Sequence, residues 1–305
     1  MICRFTFMRV HSYIAAVLLA TLSCAIANSD MRSWKFTEGK DLTAELVDYD
    51  EKTGKVSLRM EDKTIVETRY TALSLVDQAW LLQWQEYMEE MRAILKNLNG
   101  TLERHTGTGK FTTEYTVFHP AGETPREQLP MLILFHPGGN GHSQILRYVE
   151  AAAAVKMSIV SCETFQNSGD SPAIEAEYLE RFKELLPQIE KTVPHEAKRV
   201  FMGGISGGGW RAYHYSAQVA RPWAGIYANC SWLGDEKYWN LPYPKMRVVM
   251  VDGNNDYGRH SIENDVRVIQ KSGSEISIQS FEGGHQAAPA SVMTKAFRWL
   301  LKEIG

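Results

Sequence analysis

Five consecutive apolar residues, Met131-Leu132-Ile133-Leu134-Phe135, and the later run Val248-Val249-Met250-Val251 narrow the fold more than any other feature of the chain. A strand with one wet face alternates apolar and polar side chains. A strand that is apolar throughout must be covered on both faces, which is the condition of a parallel sheet between two helix layers. Beyond residue 100 the same rhythm recurs. Strands are predicted over 111–118, 131–135, 157–162, 199–205, 224–229, 246–251 and 275–281, with helices over 144–155, 174–189, 209–220, 261–272 and 288–302 between most of them. Alternating β and α units predict an α/β fold built on a doubly wound, mainly parallel sheet.

The amino-terminal third follows a different pattern. Short β-like runs over 34–36, 43–49, 55–60 and 64–70 are separated by turns holding Gly39 and Gly54, and Lys55-Val56-Ser57-Leu58-Arg59-Met60 alternates as a half-wet strand should. Trp34, Ala44-Glu45-Leu46-Val47, Gly54-Lys55-Val56-Ser57-Leu58-Arg59 and Leu73-Ser74-Leu75-Val76-Asp77-Gln78-Ala79 together resemble Sla-homology domain 1, an SH3-like module. That resemblance implies a small all-β domain over 30–78, with a structural or tethering role, or a peptide or surface partner. From residue 73 to 98 apolar residues fall at helical spacing, and Asn99-Gly100 stops them. A connecting helix is expected over 79–100 and the α/β domain over 107–305.

Ahead of these lie Arg4 and Arg9, an apolar run over 13–22, and Ala25-Ile26-Ala27. The pattern is that of a signal peptide over 1–27 cut after Ala27, because the run is shorter than the roughly 20 residues that span a bilayer. Export to the periplasm or the exterior, with no membrane span after cleavage, is the expectation. The net charge of −3 supplies no field to attract nucleic acid. After cleavage Cys162 and Cys230 remain, neither in a CxxC or Cys/His metal spacing. No metal and no cofactor are called for.

The chemistry centres on Gly204-Ile205-Ser206-Gly207-Gly208, which follows the apolar strand at 200–202 and precedes a helix. A Ser on a sharp strand-to-helix turn projects its hydroxyl, and glycines two residues either side relieve the crowding. A phosphate-binding loop would need Gly-Lys-Ser or Gly-Lys-Thr, but Trp210-Arg211 follows instead. Downstream, Val251 runs into Asp252-Gly253-Asn254-Asn255-Asp256, and the last strand ends in Gly283-Gly284-His285. A Ser hydroxyl needs a neighbouring base, and a His near its ordinary pKa of about 6.5 can take the proton, oriented by a carboxylate. Asp256 is favoured over Asp252, which could equally cap its turn. His142, His214 and His260 are rival bases, His214 falling within the helix.

The order Ser206, Asp256, His285, each at the end of a strand, is similar to that of the α/β-hydrolase superfamily. Over 107–305 the nearest resemblance is to secreted esterases of the polyhydroxybutyrate-depolymerase and feruloyl-esterase kind. It implies hydrolysis of a small or polymeric ester through an acyl-enzyme. It also implies an oxyanion hole from the Gly207 N–H and from the loop His136-Pro137-Gly138-Gly139, which resembles the His-Gly-Gly loop of esterases and lipases. Pro137 has no N–H to offer, leaving Gly138 or Gly139. In that fold two strands at about 4.8 Å per step separate Cys162 from Cys230, so both are expected to be buried free thiols. The aromatic connection over 230–245 nominates Trp232 and Trp239 as substrate-binding residues, and packing under a long loop would explain them as well. Two other outcomes stay open: a serine peptidase of prolyl-oligopeptidase type, and a binding protein whose hydrolase domain is inactive.

Overall fold

The computed structural model describes residues 32–60, 62, 64–98, 100–168 and 171–302. The expected signal peptide lies outside them. The chain divides into two compact units, residues 1–93 and 94–305.

The smaller unit is a four-stranded antiparallel sheet in sequence order, β1 (Arg32–Lys35), β2 (Asp41–Asp50), β3 (Lys55–Arg59) and β4 (Ile65–Arg69). The alternation seen in the sequence places Val56 and Leu58 inside, with Trp34, Ala44 and Leu46. The Trp34 indole donates to Ala44 O at 2.9 Å and meets Trp80 edge to face at 5.4 Å. Trp80 and Leu81 belong to helix α1 (Leu75–Leu98), so the first turns of this helix help close the core rather than merely connect. Ser74 starts the helix: its Oγ accepts the Asp77 N–H and donates to the Asp77 carboxylate, a reciprocal cap.

The larger unit holds an eight-stranded sheet. Its strands are β5 (Thr101–Gly107), β6 (Thr113–His119), β7 (Met131–Phe135), β8 (Ser158–Cys162), β9 (Val200–Ile205), β10 (Gly225–Asn229), β11 (Arg247–Gly253) and β12 (Glu275–Phe281). They lie in the order β12-β11-β10-β9-β7-β8-β6-β5. From β7 to β12 neighbours are parallel, while β6 and β5 are added antiparallel at one edge. The sheet begins earlier than the expected boundary at 107, because β5 reads Thr-Leu-Glu-Arg-His-Thr-Gly and its polar edge-strand composition carries no apolar signal.

The helices are α2 (Gly141–Gln144), α3 (Val149–Val155), α4 (Pro172–Thr192), α5 (Gly207–Gln218), α6 (Ile262–Gln270) and α7 (Ala290–Leu300). Met131, Ile133 and Phe135 of β7 pack on one face with Phe182 of α4 and Tyr215 of α5, whereas Leu132 and Leu134 pack on the other with Val149 of α3 and Phe297 of α7. The five apolar residues of β7 are therefore buried from both sides, as a doubly wound sheet requires. Cys162 ends β8 and Cys230 follows β10. With β7 and β9 between them, both are buried and unpaired.

Candidate active site

The parallel strands deliver their carboxyl ends to one edge of the sheet, and the loops there carry the polar residues. Ser206 sits between β9 and α5 with φ 53° and ψ −126°, a strained conformation for a residue with a side chain. Two glycines permit it. A Cβ on Gly204 would lie 2.2 Å from Phe135 O, and one on Gly208 would lie 1.9 Å from the same oxygen.

Ser206 Oγ lies 2.9 Å from His285 Nε2, and His285 Nδ1 lies 3.2 and 3.1 Å from the two Asp256 oxygens. The Asp256 Oδ1 also accepts the Gly258 N–H at 2.7 Å. Burial by itself would raise the Asp256 pKa, but hydrogen bonds from the Cys230 thiol, the Gly258 N–H and His285 outweigh it and hold the carboxyl below its ordinary value. Asp256 is therefore an anion facing an imidazole. The loops that carry Asp256 and His285 are tied directly: Asn254 N–H donates to Phe281 O and Asn255 N–H to Gly283 O, both at 2.9 Å.

Asp252, the alternative carboxylate, is next to last in β11, in register with Ser280. Burial, reinforced by the nearby Asp256 charge, raises its pKa to about 6. The rival histidines are engaged elsewhere. His214 Nε2 donates to Leu233 O, and burial lowers its pKa to about 3; His142 bonds Thr116 and is lowered to about 4, also by burial. His260 is exposed and bonds Tyr257 O through Nδ1.

The loop after β7 is anchored by His136, which is buried and donates from Nε2 to Ser161 Oγ. Gly139 adopts φ 67° and donates its N–H to His136 O at 3.1 Å, so that donor is occupied. Gly138 is exposed, and among the described residues no acceptor takes its N–H. Gly207, the first residue of α5, likewise has no intrahelical acceptor. Residues 164–167 run beside this loop, with Thr164 N–H on Gly139 O and Asn167 N–H on Pro137 O. The Asn167 side chain covers Gly207 so closely that a Cβ there would lie 1.8 Å from Asn167 Oδ1.

Trp232 and Trp239 part company. Trp232 stands 6.0 Å from the His285 ring. Trp239 packs against the core beneath the loop and donates its indole N–H to Gly234 O; among the described residues no ring contact joins it to His285. Three neighbours carried no motif in the sequence: Asn229, Cys230 and Tyr257. The available signal was position alone, Asn229 and Cys230 closing an apolar strand and Tyr257 following Asp256 directly.

Cys230 Sγ, an Asp256 oxygen and a His285 nitrogen all lie within 4.8 Å of one another. As metal donors they fit poorly. Burial and the Asp256 carboxylate push the Cys230 thiol up to about 12, whereas a metal ligand must be thiolate. The His285 nitrogens are shared with Asp256 and Ser206.

The fold is that of the α/β-hydrolases. S-formylglutathione hydrolase FrmB of Staphylococcus aureus superposes with a TM-score of 0.53 at 12% identity, over 67% of this chain and 97% of that one. Esterase LipW of Mycobacterium marinum gives 0.54 at 13%, covering 71% and 86%, and a bacterial heroin esterase gives 0.53 at 17%, covering 72% and 91%. No family model matches the chain. A curated relative, monosaccharide-sensing protein 3 of Arabidopsis thaliana, is 30% identical over 118 residues, which is 38% of this chain but 15% of that protein.

Proposed function

We propose that this protein is a serine hydrolase cleaving carboxylic esters through an acyl-enzyme, with Ser206 as nucleophile, His285 as base and Asp256 as orienting acid. The observation that carries the reading is the unbroken chain Ser206 Oγ–His285–Asp256, with the nucleophile at a strained elbow. His285 Nε2 takes the hydroxyl proton as Oγ bonds to the acyl carbon. The tetrahedral oxyanion is met by the N–H groups of Gly207 and Gly138, since Gly139 donates to His136 O. When the intermediate collapses, the carbon–oxygen bond to the leaving group breaks and its electron pair stays on that oxygen, which takes the proton from His285 Nε2. Water, activated by the same nitrogen, then releases the acid. Export after removal of residues 1–27 belongs to the same reading, on the strength of Arg4, Arg9 and the apolar run over 13–22.

The test is labelling by a fluorophosphonate, together with turnover of short-chain aryl esters and of peptide amides. Wild type is expected to take one equivalent of label at Ser206 and to cleave the esters, and Ser206→Ala to do neither. A wild type that takes no label and cleaves no ester sinks the reading, and cleavage of amides in preference to esters turns it toward a peptidase.

A further inference from the structure

Resting on the hydrolase reading just given, we propose that Tyr257 and Trp232 form a leaving-group subsite selecting esters of aromatic alcohols over esters of small aliphatic alcohols. Tyr257 is 67% exposed, the one aromatic among the exposed large apolar side chains of the described residues. Its ring is stacked on the His285 imidazole, centroids 4.5 Å apart and planes 30° from parallel. Trp232 meets Tyr257 edge to face at 5.7 Å and stands 6.0 Å from His285. The shelf is built rather than accidental: the Trp232 ring lies on Gly258, where an added Cβ would come within 2.1 Å of it. The run Asp256-Tyr257-Gly258 thus supplies in turn the acid of the triad, the exposed ring and the seat for the second ring.

The chemistry decides which half of the ester meets this shelf. The leaving oxygen receives its proton from His285 Nε2 and must come within about 3 Å of it. Its substituent therefore extends past whatever flanks the imidazole, and the acyl carbon stays on the Ser206 side. An exposed tyrosine face with a second ring at its edge offers offset or edge-to-face contact to another ring. A methyl or ethyl group would leave most of that surface wet.

Phenyl acetate and ethyl acetate present the same acetyl group to Ser206, and a triad that delivers its proton poorly would raise the phenyl-to-ethyl ratio of kcat/KM, because ethoxide needs that proton more than phenoxide does; a fall in the ratio therefore reports the subsite. Tyr257→Ala and Trp232→Ala are each expected to lower the phenyl-to-ethyl ratio about five- to tenfold relative to wild type, and Tyr257→Phe, which keeps the ring, to preserve it. Ratios unchanged in both alanine variants overturn the subsite. Fluorophosphonate labelling of wild type separates the two readings: a labelled enzyme with unchanged ratios refutes the subsite alone, and an unlabelled one refutes the hydrolase reading and the subsite with it.

Discussion

Asn229 Oδ1 accepts the backbone N–H of Ala288 at 2.8 Å, which fastens the end of strand β10 to the segment just beyond His285. The same carboxamide donates to Gln286 O and to Val251 O, each at 3.2 Å, and the Asn229 carbonyl accepts the Ser206 N–H at 2.9 Å. One fully buried residue therefore fixes the elbow on one side and the histidine loop on the other.

Removing this side chain should cost activity without touching any reacting atom. Asn229→Ala strands the Ala288 N–H, about 1–3 kcal/mol if left buried and unpaired, and takes one of its donors from the Gln286 carbonyl. The loop that places His285 loosens with them. We expect kcat to fall by about tenfold or more, as small misplacements of a catalytic base do, with KM changed little and the melting temperature lowered. An Asn229→Ala enzyme with wild-type kcat would show that the tether does not position the base.

Asp252 in β11 and Asp256 in the turn beyond it have opposite environments, so their variants should part. Asp256→Asn keeps the shape but removes the charge that orients and stabilises the imidazolium, and a loss of about 10⁴ in kcat is expected. His285 Nδ1 bonds Asp256 and, among the described residues, not Asp252, so kcat of Asp252→Asn at pH 8 should stay within a few-fold of wild type. The reverse order of effects would reassign the acid.

Much of this was legible in the sequence because the relevant signals are local. The continuously apolar strands, the glycines around Ser206 and the Gly-Gly turn before His285 each state a backbone requirement within a few residues. Strand β5 was missed because an edge strand with a wet face has no apolar run to show. Asn229, Asn167 and Tyr257 could not be singled out, since each acquires its place through contacts with loops far away in the chain. Between Gly138 and Gly139, the choice needed the knowledge that the second spends its N–H on His136 O.

The two thiols make a chemical test of the strand order. Cys162 and Cys230 are both buried, with β7 and β9 between their strands, and burial pushes each thiol's pKa upward. A maleimide at pH 7 should leave both untouched in the native protein and modify both in denaturant, as read from tryptic peptides. A peptide pair linked between Cys162 and Cys230 would contradict the sheet order.

Asp265 gives the fold a pH dependence that can be predicted in sign. It lies on α6, where its carboxylate accepts the Leu233 N–H at 3.0 Å. Burial raises its pKa to about 7 against the pull of that hydrogen bond, and Asp252 raises it further; the hydroxyls of Tyr213 and Tyr243 share the region. Unfolded, the same carboxyl titrates near about 3.9. Between these values the folded chain keeps a proton that the unfolded chain has lost, so its contribution to stability is fully present below about pH 4 and disappears as the pH rises through about 7. Asp252, raised to about 6, acts in the same direction. Asp265→Asn keeps an acceptor for Leu233 but cannot ionise. The melting temperature of the variant should therefore rise relative to wild type as the pH goes from 4 to 7.5, and a difference that stays constant across that range would show that Asp265 does not titrate as its burial implies.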